Sequence, residues 1–344
     1  MTQAITPPRT LEPTPELPEP EAPATRRNPL RDERVALAVV VVALTVALSF
    51  IAPNFLTAGN LFDVLRQVSF AGIIACGMTL VIVAGEIDIS VGSAVAFTSA
   101  ITGLLIAKVD LPYPIAILLV LLVGAGIGAA AGAVRAFLAV PSFIVTLALF
   151  SALSGAALML TNAIPIPLLD PAFAWLGRGN ILGLPVPAAI MLAVFAVFWF
   201  LADRTTFGRS VYAIGGNAEA ARLAGIPVAA IRVTVFAATG LLAALSGVLQ
   251  TAQLGAGNAT IGRGLEFAVI TAVIVGGASL AGGKGSMVGT LLGVLFIGIL
   301  NNGMVLLGVN SYAQYIANGA LVLAAVTLST LANRARTRRR VRTS

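Results

Sequence analysis

Residues 35–52 read VALAVVVVALTVALSFIA, a run of apolar and small residues that contains no charge. A helix that crosses the hydrocarbon core of a bilayer needs about 20 predominantly apolar residues, within a range of about 17–25. The run exceeds the apolar core of about 7–15 residues that a cleaved signal peptide carries. We therefore predict that residues 35–52 form a membrane-spanning helix, and that the fold is built from helices of this kind.

The composition of the whole chain agrees with lipid as the main solvent. Apolar residues make up 58% and charged residues 10% of the 344 residues, and the mean hydropathy is +0.98. Soluble domains carry about 45–50% apolar and about 25% charged residues. The chain has no histidine and a single cysteine, Cys76, so it lacks the commonest general base and metal ligand. A membrane enzyme is the weakest alternative, and we expect this chain to bind no metal or cofactor.

Nine further apolar stretches follow the first one. Together they predict an all-α, polytopic transmembrane bundle of about ten spans that occupies residues 35–332. The ten predicted spans are 35–52, 68–84, 89–107, 114–133, 143–161, 186–202, 229–252, 265–281, 287–307 and 312–332. Glycines and charges within the second, third and eighth stretches leave open that these are broken or re-entrant helices.

The two ends of the chain differ from the bundle in composition. Residues 1–34 are rich in proline and glutamate, which predicts a disordered cytoplasmic tail. Residues 333–344 predict a basic cytoplasmic tail that faces membrane lipid rather than nucleic acid, since it has no aromatic residues for base stacking. With both termini inside, 17 of the 21 basic residues lie on the cytoplasmic side, as the positive-inside rule favours. The four basic residues left outside are Arg66, Lys108, Arg178 and Arg263.

The longest loop on the predicted inner side, residues 203–228, contains the sequence NAEAARLAGIP at 217–227. Asn217 is a favourable N-cap residue, and Glu219 in the first turn suits the positive end of the helix dipole. Gly225 suits the left-handed position after a helix, and Pro227 prevents continuation. The pattern predicts a short, slim helix. It is either a solvated connector or a helix that docks in a groove of a partner protein.

Several polar residues interrupt the apolar stretches and are candidates for the translocation path. A carboxylate at membrane depth is costly and is usually functional or paired. Asp88 and Glu86 could cap the third span, contact a substrate, or relay protons in a secondary transporter. Asn301 and Asn302 could hydrogen-bond a polar solute or join two helices, and Gln314 with Asn318 raises the same question. The path candidates are Asp88, Ser90, Asn301, Asn302 and Gln314.

The glycine-rich segment 276–286, GGASLAGGKGS, predicts a tight turn between two spans. It does not match a phosphate-binding loop, because Ala278 and Gly285 occupy positions that need glycine and Ser or Thr. ATP and Mg²⁺, if the transport uses them, must then bind to a separate chain.

Five segments, in order along the chain, resemble one family. Glu219-Ala220-Ala221 followed by Gly225 is similar to the signature loop of ABC importer permeases, and 207–217 resembles the version in the ribose-type branch. Similar elements of that branch lie at 85–93, 141–147, 276–286 and 300–309. The resemblance covers about residues 35–332. Two departures stand out, since Glu86 and Ala163 replace residues that are commonly glycine in that branch.

The resemblance implies an importer permease subunit of the bacterial inner membrane. It implies that a second permease subunit, most simply an identical copy, forms a pair with this one. It also implies that two ATPase subunits carry ATP and Mg²⁺, and that an extracytoplasmic binding protein delivers a monosaccharide such as ribose, xylose or galactose. The coupling residues are then Asn217, Glu219, Ala220, Ala221, Arg222 and Gly225, and the structural turn uses Gly276, Gly277, Gly282 and Gly283.

Two alternatives stay open at this point. One is a permease of the same class for another small polar solute, such as a branched-chain amino acid or a nucleoside. The other is an ion-coupled secondary transporter that uses Glu86 and Asp88. Since the binding protein supplies most of the selectivity in the first interpretation, we expect no deep, highly polar sugar site in the permease itself.

Overall fold

The computed structural model describes residues 33–342, with side chains for residues 34–327. The predicted disordered tail lies almost entirely outside the described residues. The described part contains helices α1 (Glu33–Ile51), α2 (Ala58–Val83), α3 (Val91–Ala107), α4 (Tyr113–Phe137), α5 (Ser142–Thr161), α6 (Pro171–Arg178), α7 (Val186–Arg204), α8 (Thr206–Gly216), α9 (Ala218–Leu223), α10 (Val228–Leu254), α11 (Leu265–Val275), α12 (Met287–Leu306) and α13 (Ser311–Arg342). Its short strands are β1 (Ile166–Pro167), β2 (Asn180–Ile181), β3 (Leu184–Pro185) and β4 (Ala256–Gly257).

Each of the ten predicted spans contains a helix, and the fold is mostly helical as predicted. Within the described residues, seven helices are long and apolar enough to cross a membrane, namely α1, α2, α4, α5, α7, α10 and α12. Helices α3 and α11 are apolar but shorter, with 17 and 11 residues. The backbone of α13 continues from the predicted last span through most of the predicted basic tail. The count of ten spans and the cytoplasmic position of the termini stay predictions.

Helix α2 lies in the centre of the bundle. Its second half, from Val68 to Val83, is buried almost without interruption, because α10, α7, α12 and α11 surround it. A helix that is apolar on all sides is stable only when protein or lipid covers every side. The helix also begins ten residues before the predicted start, since the Thr57 hydroxyl accepts the N–H of Asn60 and caps it.

Helices α4 and α10 form the most extensive helix pair. Gly124, Gly128 and Gly132 recur every four residues and face α10. A methyl group on Gly128 would overlap the carbonyl oxygen of Phe236, and one on Gly132 would lie 2.7 Å from the Cα atom of Val233. Glycines spaced in this way let two helix backbones approach closely in a membrane. These three glycines therefore have a packing role.

The chain that leads into α11 runs inside the bundle, beside α3. Gly257 packs against Gly103, the Asn258 N–H donates to the Ser99 hydroxyl at 3.0 Å, and Gly262 packs against Gly92. Since Gly92 is at the start of α3 and Gly103 near its end, this segment descends along about three turns of α3. Helix α11 therefore starts well below the surface of the bundle. This explains why the predicted span 265–281 contains a helix of only 11 residues.

The bundle has two ends that are used as reference points below. The loop face is the end that carries residues 203–228. The hairpin face is the opposite end, where β1 pairs with β4, β2 pairs with β3, and α6 lies between them along the chain.

Candidate functional site

The loop at 203–228 contains two helices, α8 and α9, where the sequence indicated one. The side chain of Asn217 accepts the N–H groups of Glu219 and Ala220, both at 3.0 Å, and so caps α9. Gly225 follows with φ +82°, the left-handed conformation that a side chain disfavours. The ends of the short helix thus have the local chemistry that the sequence indicated.

Helix α9 has one buried face and one exposed face. Ala221 is buried against the bundle, whereas Leu223 is 78% exposed. Arg222 donates two hydrogen bonds to the exposed carboxylate of Glu219, at 2.6 and 3.1 Å. The hydrogen bonds and the positive charge of Arg222 lower the pKa of Glu219 below its ordinary value. The helix therefore presents an apolar side chain beside a stable pair of charges, which is a surface that a partner protein can bind.

Helix α8 joins this loop to the membrane bundle. Gly215 packs on the end of α2, where a methyl group would overlap the carbonyl oxygen of Val83 and lie 2.5 Å from the amide nitrogen of Gly283. The Gly283 N–H itself donates to the Val83 carbonyl at 2.8 Å. In addition, the Tyr212 hydroxyl donates to the carbonyl of Gly285 at 3.0 Å. We call these five residues the junction; they hold α8, α2 and the 276–286 turn in direct contact.

The four predicted turn glycines lie in the connection between α11 and α12. Gly277, Gly282 and Gly283 have φ values of +93°, +82° and +71°, which favour glycine strongly. Gly276 has an ordinary φ of −65°, but a methyl group there would lie 2.5 Å from the carbonyl oxygen of Gly289. Each position therefore has its own physical reason for glycine, either backbone conformation or close approach.

Glu86 pairs with two arginines instead of capping α3. Its carboxylate is 4% exposed and accepts the Nε–H of Arg135 at 2.8 and 2.9 Å. The Nε atom of Arg232 lies 2.8 Å from the same carboxylate, as an ion pair in which the N–H is not aimed at the oxygen. Gly85, with φ +78°, supplies the left-handed residue of this turn. A glutamate at position 86 therefore needs no unusual backbone.

Asp88 and Ser90 are bound to each other. The buried Asp88 carboxylate accepts both the N–H and the hydroxyl of Ser90, at 2.9 and 2.6 Å. Ser90 is the residue that precedes α3, and its own side chain makes no capping bond. Asp88 thus orders the turn just before α3, close to the capping role that the sequence suggested.

The three amide candidates have different surroundings. Asn302 and Asn60 exchange two side-chain hydrogen bonds, at 2.8 and 3.1 Å, which join α12 to α2. Gln314 donates to the carbonyl of Val309 at 2.8 Å, near the start of its own helix. Asn301 is different, because its buried side-chain oxygen has no hydrogen-bond partner among the described residues.

Asn301 lines a large cavity, which we call the amide cavity. Its volume is about 860 Å³, within the range of about 300–1,000 Å³ that is usual for small-molecule pockets. It lies in the half of the bundle nearer the hairpin face, between α2, α10, α11, α12 and α13. Five carboxamide side chains line it, those of Gln67, Gln250, Gln253, Asn301 and Asn318.

Asp88, Ser90, Asn302 and Gln314 do not line the amide cavity. Three glutamines that the sequence analysis did not predict as path residues do line it, namely Gln67, Gln250 and Gln253. One signal was available, because Gln250 and Gln253 are three residues apart on a helix that is otherwise largely apolar, and so share a face. The path roles of Asp88, Ser90, Asn301, Asn302 and Gln314 stay predictions.

The comparisons with known proteins agree with this architecture. The protein-family model described as "Branched-chain amino acid transport system / permease component" matches residues 60–326. No solved structure matches the chain.

The curated relatives match over most of their length. A probable ABC transporter permease protein, YphD of Escherichia coli K12, is 49% identical over 85% of this chain and 88% of its own. The ribose import permease protein RbsC of the same strain is 42% identical over 84% of this chain and 91% of its own. An L-arabinose ABC transporter permease protein, AraH of Azospirillum brasilense, is 36% identical over 95% of this chain and 96% of its own. The chain therefore belongs to this family of ABC transporter permeases, which are multi-pass proteins of the bacterial inner membrane.

Proposed function

We propose that this chain is the membrane-spanning subunit of an ATP-driven importer and carries a monosaccharide that an extracytoplasmic binding protein delivers. Two copies of the chain form the permease pair, and two ATPase subunits bind ATP and Mg²⁺. The chain itself binds no cofactor. The relatives named for ribose and for L-arabinose support a sugar as the cargo.

The junction is the observation that carries the ATP-driven mechanism. Helix α9 exposes a binding surface, and α8, next to it in the chain, packs directly on α2 and on the 276–286 turn. A tightly packed contact transmits displacement because it cannot be compressed. Movement of an ATPase bound to α9 therefore reaches the helices that line the amide cavity, since α2 and α11 form part of its wall.

The orientation follows from the same assignment. The ATPase subunits are cytoplasmic, so the loop face is the inner face and the hairpin face receives the binding protein. The basic residues agree with this orientation, because Arg204, Arg209, Arg222 and Arg232 lie on the loop face or next to it.

The ion-coupled alternative finds less support in the arrangement of the two acids. Glu86 is neutralised by Arg135 and Arg232, and Asp88 is bound to Ser90. Neither carboxylate lines the amide cavity. A proton or sodium relay needs an acid that the transported ion can reach, and both acids already have partners elsewhere.

The experiment is uptake of a panel of labelled monosaccharides into cells that contain the complete transporter, with and without vanadate. We expect one sugar to be taken up, vanadate to block the uptake, and an uncoupler that spares ATP to leave it unchanged. Uptake that collapses with the uncoupler and ignores vanadate would refute the ATP-driven mechanism.

A further inference from the structure

The amide cavity has unused hydrogen-bonding capacity. The side-chain oxygen of Asn301 is buried without a hydrogen-bond partner among the described residues. The side chains of Gln67, Gln253 and Asn318 also line the cavity without a hydrogen bond within residues 34–327, but Gln67 is exposed and the other two are partly exposed. Gln250 is partly committed, since its Nε2 donates to the Ser246 hydroxyl at 3.1 Å. Burial without a partner costs the Asn301 oxygen about 1–3 kcal/mol, whereas the more exposed amides bear no such cost. A ligand that supplies hydroxyl groups satisfies these amides.

Carboxamides match the chemistry of a sugar. Each carboxamide offers two N–H donors and an acceptor oxygen, and each sugar hydroxyl both donates and accepts. The cavity wall also includes the rings of Phe70, Phe267 and Tyr315, which are apolar surfaces that suit the C–H faces of a sugar ring. The wall thus combines many neutral polar groups with a few aromatic surfaces.

The charged groups in the cavity wall indicate whether a neutral or a charged ligand is favoured. Among the side chains of residues 34–327, Arg263 is the one charged group that lines the amide cavity, and no carboxylate of those residues does so. An amino acid carries an ammonium group, which costs several kcal/mol to bury without an anionic partner. A neutral polyol has no such cost. The wall therefore favours a neutral sugar over the amino acid that appears in the family's description.

We propose that the amide cavity is a sugar-binding site of the permease itself, occupied by a neutral monosaccharide on its way across the membrane. Its five carboxamides hydrogen-bond the hydroxyl groups, and its aromatic rings contact the sugar ring. The inference rests on the proposed function and differs from the sequence expectation that the permease has no deep polar sugar site. The permease then contributes to selectivity, in addition to the binding protein.

The test is protection of an introduced cysteine in the complete transporter. Cys76, the single native cysteine, is fully buried, and a Cys76→Ala chain provides a background without thiols. In it, Asn318→Cys places a thiol in the cavity wall, and Leu182→Cys places one on the β2–β3 turn, where the side chain is 99% exposed. A polar methanethiosulfonate reagent labels each thiol in the presence of D-ribose, L-arabinose, D-xylose, D-galactose or L-leucine.

We expect the transported sugar to slow labelling of Asn318→Cys roughly tenfold at about ten times its dissociation constant, and to leave Leu182→Cys unchanged. L-Leucine is expected to protect neither position. The site is refuted if a sugar that the same membranes import fails to protect Asn318→Cys. Protection by L-leucine instead of a sugar would overturn the assigned ligand class. Protection by a sugar without vanadate-sensitive uptake would support the site and refute the ATP-driven function.

Discussion

At the junction between α8, α2 and the 276–286 turn, we predict that a side chain added at Gly215 disrupts the packing. A methyl group there would overlap the Val83 carbonyl oxygen and lie 2.5 Å from the Gly283 nitrogen, whereas real methyl groups essentially never come within 3.0 Å of another heavy atom. Overpacking costs about 1–3 kcal/mol, and loss of the Gly283–Val83 hydrogen bond adds about 0.5–1.5 kcal/mol. We expect Gly215→Ala to weaken the junction by about 2–4 kcal/mol.

The adjacent residue gives a matched control. A methyl group on Gly216 meets nothing within 4 Å, so Gly216→Ala adds the same atom to the same helix without a clash. In the complete transporter, reconstituted in liposomes, we measure sugar uptake and ATP hydrolysis together. Gly215→Ala is expected to lower the amount of sugar imported per ATP, and Gly216→Ala to preserve it.

A milder variant separates coupling from folding. Tyr212→Phe removes the hydrogen bond to the Gly285 carbonyl at a cost of about 1 kcal/mol and leaves the ring in place. We expect normal amounts of protein in the membrane and a reduced ratio of sugar to ATP. Unchanged ratios in both Gly215→Ala and Tyr212→Phe would show that the junction transmits nothing.

Four further predictions follow from single sites. Asn301→Leu is expected to raise the KM for sugar with little loss of thermal stability, because it removes an unpartnered buried oxygen. Asn302→Leu is expected to lower stability by about 1–3 kcal/mol, because it leaves the side-chain oxygen of Asn60 without its donor, although Asn60 Nδ2 still donates to the Phe55 carbonyl. The reverse order of the two melting temperatures would contradict both expectations. Glu86→Gln is expected to lower the free energy of unfolding by about 2–3 kcal/mol, because it leaves Arg135 and Arg232 without a negative charge. Breaking a fully buried ion pair costs about 3–5 kcal/mol, and the cost here is smaller because both arginines are partly exposed. The melting temperature of Glu86→Gln should fall further than that of the exposed-pair variant Glu219→Gln. Ala163→Gly is expected to raise stability by about 0.5–1 kcal/mol, because Ala163 has φ +58° and the left-handed conformation costs an alanine about 1–2 kcal/mol, partly offset by the flexibility of glycine; an unchanged or lower melting temperature would contradict this.

Helix positions, the ends of α9 and the turn glycines could be predicted from the sequence, because each depends on residues close together along the chain. The length and apolarity of each stretch predicted where helices form, since backbone groups inside a bilayer must bond within a helix. Asn217, Gly225 and Pro227 predicted the ends of α9, because a cap depends on residues within one turn. The four turn glycines were recognisable because backbone conformation is a local property.

The remaining features depend on residues that are distant along the chain. Glu86 could be a cap, a relay or a pair, and only the packing of α4 and α10 beside it brought Arg135 and Arg232 to its carboxylate. Asn301 and Asn302 are neighbours of identical chemistry, yet one lines a cavity and the other binds Asn60. Successive residues of a helix point in directions about 100° apart, and nothing in the local sequence says which helix stands in each direction. The sequence by itself determined where the apolar helices lie and how α9 begins and ends, whereas the tertiary structure decided the bounds of α2 and α11 and the partner of each polar side chain.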